Sequence, residues 1–119
     1  QQLNENSKLL ANVEVFPEMN HNELVGWESG DERHVAVVLR SAMDHPRTQH
    51  RMNITAEIFQ DQGADVVVVE PDGDTPWAEL LDAVWVGDWM SLVLAERSGV
   101  CPVDIRFIDH LKTTLASLP

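Results

Sequence analysis

An α/β fold built on a parallel sheet is predicted by three features of the chain. Residues 34–39, His-Val-Ala-Val-Val-Leu, form a short β-branched run that is nearly all apolar. Residues 65–70 form a second, with valine at all four positions from 66 to 69. Strands of this composition, without polar alternation, are the kind a parallel sheet covers on both faces. Between them the spacing predicts a helix over residues 48–62, with Met52, Ile54, Thr55, Ile58 and Phe59 on its apolar side and Gly63 ending it. Strand, helix and strand together make a right-handed βαβ crossover.

The remaining elements follow in order. Residues 1–11 have helical composition, with Leu3, Leu9 and Leu10 among polar neighbours. Residues 12–17 connect, with a short extended run at 13–16. Pro17 biases Phe16 away from the α region. A helix is expected from Asn20 or His21 to Trp27, and Gly30 and Asp31 punctuate what comes after. Residues 40–47 form the loop at the carboxyl end of the first strand. Pro71-Asp72-Gly73-Asp74 is a turn, Thr75 a cap, and Pro76 a first helical position. The helix from Pro76 to Ser98 carries Trp77, Trp85 and Trp89 and is apolar on most sides, so it is expected to be central and largely buried. Pro102 is expected to open a last helix with Ile105, Ile108, Leu111, Leu115 and Leu118 at three- and four-residue steps. Two strands are few for a stable sheet. A strand and a helix start are therefore expected ahead of Gln1, with residues 1–119 forming one domain of a longer chain.

The totals narrow the function. A chain of 119 residues suffices for one core without a disulfide or metal staple. Its single cysteine, Cys101, permits no internal disulfide and suggests a reducing, cytoplasmic setting. No apolar run approaches about 20 residues, so no membrane span is expected. Twenty acidic against 8 basic residues give a net charge of −12, a surface that repels nucleic-acid phosphates. A small anion is still admissible, because one cation or a few backbone N–H groups can fix a phosphate locally. His45 and His50 lie five apart across Pro46 and match no standard zinc spacing, so no metal is expected.

Two polar stretches stand out. One is Pro17-Glu18-Met19-Asn20-His21-Asn22-Glu23-Leu24-Val25-Gly26-Trp27, where an imidazole sits between two amides and near two carboxylates. The other is Asn4-Glu5-Asn6-Ser7-Lys8. Taken singly, each candidate has an ordinary explanation. Glu5 suits a solvated helix, His21 a helix start, and Lys112 the negative end of a helix dipole.

Read together, these stretches resemble a family. With Gly87-Asp88-Trp89-Met90-Ser91-Leu92 and Gly99-Val100 they look like the C-terminal half of bifunctional phosphoglucose/phosphomannose isomerases, which are tandem SIS (sugar isomerase) proteins. The resemblance covers nearly the whole chain in matching order. It implies a SIS-type, flavodoxin-like parallel sheet flanked by helices. It also implies a sugar-phosphate substrate, a homodimer, and no metal or organic cofactor. By the same resemblance Glu5 is the base that shuttles a proton between C2 and C1. His21 assists ring opening, and Lys112, in Ile108-Asp109-His110-Leu111-Lys112, lies near the ring oxygen. The family's phosphate-binding loops belong to its first SIS domain and do not occur in this sequence. Cys101 stands before Pro102, where the family often has aspartate.

The chemistry suits these residue types. Aldose–ketose isomerisation moves one proton between adjacent carbons through an enediolate, and one carboxylate can serve both. Ring opening needs a second group, for which an imidazole titrating near neutrality is apt. The expected activity is interconversion of glucose 6-phosphate or mannose 6-phosphate with fructose 6-phosphate. The alternatives are a non-catalytic sugar-phosphate-binding domain and a dimerisation domain.

Overall fold

In the computed structural model, which describes residues 1–118, the two valine-rich runs pair in parallel. Strand β1 (Val35–Leu39) lies beside β2 (Asp65–Val69), with Val35 opposite Asp65 and Leu39 opposite Val69. The crossover helix spans Pro46–Asp61. In chain order the helices are α1 (Gln2–Glu5), α2 (Glu23–Gly26), α3 (Pro46–Asp61), α4 (Pro76–Ser98) and α5 (Arg106–Ala116). Two 3-10 turns, Glu18–His21 and Trp27–Ser29, flank α2. The chain divides into two units, Val13–Trp85 and a second made of Gln1–Asn12 with residues 86–118; α4 runs through the division.

The unit Val13–Trp85 holds the sheet. Met19, Ala36, Phe59 and Ala64 form its buried centre, and Phe16, Leu24, Trp27 and Val66 pack around them. Trp27 stacks on Phe59 with ring centroids 3.8 Å apart, a contact of a kind that contributes about 0.5–1.5 kcal/mol beyond its buried area. The crossover helix begins two residues earlier than the periodicity indicates. Pro46 occupies the first turn, and the His45 ring accepts the Arg47 N–H, which gives that histidine a capping role.

The expectation that the strands are covered on both faces is corrected for both: no residue of β2 is buried, with Val67 and Val68 exposed, and β1 is covered on one face alone. Ala36 and Val38 are buried, whereas Val35, Val37 and Leu39 alternate with them and are exposed. With side chains alternating along a strand, one covering layer hides only every second residue. The expected helix near His21 is broken into three short pieces. Asn22 leaves the helical region at φ −132°, and its side chain accepts the Glu23 N–H at 2.6 Å, so the chain restarts there. Residues 13–16 pair with no strand.

At the far end of the sheet Gly73 lies against the first turn of α4. A Cβ on it would stand 2.7 Å from both the Ala78 Cβ and the Glu79 nitrogen, too close for any side chain. The Thr75 hydroxyl accepts the Ala78 N–H, as its position ahead of Pro76 leads one to expect.

Asp31, just before β1, accepts from the Arg33 guanidinium at 2.5 and 2.9 Å and from the Arg33 backbone N–H at 3.0 Å, with the His34 ring at 2.9 Å. The Arg33 side chain above all, then its N–H, draws the carboxyl from its ordinary 3.8 down to about 2. Because the folded value is the lower one, the contribution to stability is present above pH 3.8. It is lost as the pH falls towards 2. Arg33→Ala should return the Asp31 midpoint towards 3.8 in a carboxyl NMR titration; a midpoint still near 2 would mean another group holds the charge.

In the other unit α1 is one turn long rather than the helix expected over residues 1–11. Four side chains between Asn4 and Lys8 bond to other parts of the unit or to nearby backbone, and such bonds compete with a helical ladder. The helix α5 starts at Arg106 rather than near Pro102, because the Asp104 carboxylate accepts the Arg106 N–H and marks its beginning.

The helix α4 has the bounds expected of it but not the burial. Its buried positions are Glu79, Ser91 and Ala95, while Trp77, Trp85 and Trp89 are 76%, 63% and 54% exposed. Close packing takes the small residues, and the apolar girdle of a helix this long exceeds what its neighbours cover. It ends at Gly99 in the left-handed region, φ 65°, where the Gly99 and Val100 N–H groups return to Glu96 and Ala95 carbonyls. Among the described residues, no helix is long and apolar enough to cross a membrane.

Candidate functional site

In the unit holding the first residues, the Asn4–Lys8 stretch is a framework of side-chain bonds. The Asn4 amide donates to the Ala11 carbonyl at 2.9 Å and accepts the Ala11 N–H at 3.1 Å, closing a loop. The Asn6 amide donates to Ser91 Oγ at 2.9 Å, and the Ser7 hydroxyl donates to the Ser91 carbonyl at 2.7 Å. Ser7 and Ser91 are almost wholly buried, at 1% and 0% exposed. Lys8 adopts φ 58°, which brings its ammonium back to the Glu5 carbonyl at 2.5 Å and to the Pro102 carbonyl at 3.3 Å.

Four of these five side chains thus fix the backbone, and the fifth is Glu5. Its carboxylate is exposed and has no hydrogen-bond or ion-pair partner among the described residues. It borders a cleft of about 450 Å³ together with Lys8, Leu9, Leu10, Ile105 and Phe107. Asp104 and Arg106 border the same cleft and pair with each other at 2.9 Å. The Arg106 N–H, helped by the charges of Arg106 and Lys8, holds the Asp104 carboxyl below the usual carboxylate range. A carboxylate on an immobilised backbone, free of a neutralising partner and open to a cleft, can take and return a proton. Lys112 lies on α5 of the same unit, exposed, and is not among the residues that border the cleft.

His21 belongs to the unit Val13–Trp85. It ends the 3-10 turn Glu18–His21, and its ring is exposed without a partner among the described residues. The turn is held by the Met19 N–H on the Val15 carbonyl at 3.0 Å and the Asn20 N–H on the Pro17 carbonyl at 3.1 Å. Met19 is buried, and the Asn20 amide donates to Thr55 Oγ1 at 3.0 Å. An exposed imidazole on an anchored turn can donate or accept a proton towards solvent or a ligand.

Two polar groupings escape the sequence reading. Ser91 lies in an apolar helix and anchors the Asn4–Lys8 stretch; a serine among Leu92, Val93 and Leu94 was the available signal. The other grouping lies at the carboxyl ends of the strands, where ligand crevices open in parallel sheets. There Arg40 pairs with Glu70 and donates to Asn53 at 2.7 Å, and the Ser41 hydroxyl donates to the buried Glu79 carboxylate. Leu39, Arg40, Ser41, Asp44 and Glu79 border a cleft of about 430 Å³ there. Arg40 and Ser41, placed directly after an apolar strand, were its sequence sign.

Set beside known proteins, residues 1–115 match the family described as the bacterial phospho-glucose isomerase C-terminal SIS domain. The chain is 36% identical over 116 residues to the bifunctional phosphoglucose/phosphomannose isomerase of Aquifex aeolicus, covering 96% of the chain and 36% of that relative. The protein of the same description from Caldicellulosiruptor bescii is 35% identical over 122 residues, covering 98% and 35%. That from Pyrobaculum aerophilum is 37% identical over 114 residues, covering 96% and 34%. No solved structure matches the chain. These matches define an α/β domain of the phosphosugar isomerase class. The chain belongs to the bacterial phospho-glucose isomerase C-terminal SIS domain family, and it spans about a third of the length of these relatives.

Proposed function

We propose that this domain supplies the proton-moving residues of an isomerase that interconverts glucose 6-phosphate or mannose 6-phosphate with fructose 6-phosphate. Glu5 removes the proton from C2 and returns it to C1 through an enediolate. His21 moves the proton that opens the sugar ring, and Lys112 acts near the ring oxygen. The observation that carries the reading is the contrast within Asn4–Lys8. Every neighbour of Glu5 in that stretch is committed to a structural bond, while the Glu5 carboxylate is left without a partner at a cleft. Positioned acid–base groups of this kind contribute about 10²–10⁴ each in rate.

The relatives are about three times as long as the part of them this chain covers. The remaining length is where the reading puts the phosphate-binding loops, and the whole protein is taken to act as a homodimer. A coupled assay for fructose 6-phosphate should find turnover of one or both aldose phosphates by the whole protein and little by residues 1–119 alone. Full activity in residues 1–119 would refute this division of labour, and no activity in the whole protein would refute the enzyme. Sedimentation at several concentrations checks the dimer, which a strict monomer would exclude.

A further inference from the structure

The turn carrying His21 is fastened at one point that the assigned roles do not use. Thr55 lies in the middle of α3, on the face that buries Met52 and Phe59, and is itself only 2% exposed. A hydroxyl there is out of keeping with its neighbours unless it has a partner, and the partner is the Asn20 amide, which donates to it at 3.0 Å. Asn20 immediately precedes His21. On the other side Asn22 turns its side-chain oxygen onto the Glu23 N–H at 2.6 Å, so the residues flanking the histidine are both fixed. The His21 ring itself is exposed and has no hydrogen-bond or ion-pair partner among the described residues. Its bearing comes from the backbone, which Met19 anchors by burial beside Phe59 and the Asn20–Thr55 bond ties to α3 at the residue next to the histidine.

The same amide carries a second sign. The Asn20 side-chain oxygen is buried and has no partner, alone among the described residues that are not exposed. A buried acceptor left open is costly, and a leucine of similar shape would avoid the cost. What this side chain supplies against that cost is its nitrogen, which donates to Thr55 Oγ1.

We propose that Asn20 and Thr55 form a positioning pair that sets the place of the His21 imidazole for ring opening. The inference rests on the reading of His21 as the ring-opening group. Neither residue touches substrate; both act through the histidine.

The test uses the whole protein and three variants of the pair. Thr55→Val keeps the shape and removes the acceptor, Thr55→Ser keeps the acceptor, and Asn20→Leu removes the amide from the less buried side. Ring opening is read directly as exchange between the anomers of glucose 6-phosphate by NMR. Carbon-proton exchange is read separately on an acyclic aldose phosphate too short to close a ring. Thr55→Val and Asn20→Leu should each slow anomer exchange about ten- to a hundredfold, the scale expected of a misplacement near 1 Å. Both should leave carbon-proton exchange unchanged, and Thr55→Ser should restore anomer exchange. A purely structural role predicts a lower melting temperature with both exchanges falling together, and that result overturns the proposal. So does equal behaviour of Thr55→Val and Thr55→Ser. If Thr55→Val does not fold, Asn20→Leu carries the same split or its refutation. His21→Ala in the same assays separates the two levels. Normal anomer exchange in His21→Ala removes the underlying role, whereas slow exchange there with normal exchange in Asn20→Leu removes only the pair.

Discussion

Glu5→Gln in the whole protein should abolish exchange of the C2 proton with solvent while sugar-phosphate binding survives. Glutamine keeps the length and shape of the side chain and removes only its capacity as a base. The backbone around it should not respond, because Asn4, Asn6, Ser7 and Lys8 hold it by bonds in which the Glu5 carboxylate has no share. The expected loss is about 10²–10⁴ in rate, or about 3–5 kcal/mol of barrier. Solvent deuterium incorporation at C2, measured beside ligand affinity, reads both halves of the expectation. Near-normal incorporation would mean that the base has been misassigned. Loss of affinity alone would turn Glu5 into a binding group and favour a sugar-phosphate sensor over an enzyme.

His21→Ala should fail differently. Removal of the imidazole should slow turnover of cyclic glucose 6-phosphate by about 10²-fold or more. Turnover of an acyclic aldose phosphate should change little, because only the closed ring needs a proton moved on and off its oxygen. The side chain is exposed and bonds to no described residue, so its truncation leaves no buried group unsatisfied and the fold should be preserved. The ratio of the two turnover rates is the measurement. An unchanged ratio would assign His21 to something other than ring opening, whatever happens to the absolute rates.

The parts of the fold legible in the sequence were those set by local composition over a long enough stretch. The strands at Val35–Leu39 and Asp65–Val69, their parallel pairing and the bounds of α4 all follow from runs that bias every residue the same way. Residues 1–11 and the region around His21 form shorter helices than expected because asparagine, serine and lysine side chains bond there to backbone and side-chain groups outside a helical ladder. Those bonds depend on partners far along the chain, such as Ser91 for Asn6 and Ser7. The covering of β1, of β2 and of the tryptophans of α4 departs from expectation for another reason. Apolar character says that a residue can be buried, not that something within the chain lies over it. The candidate residues themselves were found by resemblance. Their chemistry became arguable only with the pattern of bonds, since the sequence alone does not distinguish the partnerless Glu5 from its fixed neighbours. The Asn20–Thr55 bond is beyond the reach of the sequence, in which the spacing puts Thr55 on the apolar side of its helix.

The two-stranded sheet has a consequence for assembly. Among the described residues β1 and β2 each have one strand neighbour, so each is an edge as well as a centre. An edge strand is a template on which another strand can add, and a parallel pair offers two, one on either flank. Few of the usual guards stand along these flanks. The runs between Val35 and Leu39 and between Val66 and Val69 contain no charge and no proline. The net charge of −12 carried by these 119 residues opposes such additions between like surfaces, and dilute salt leaves that repulsion its longest reach.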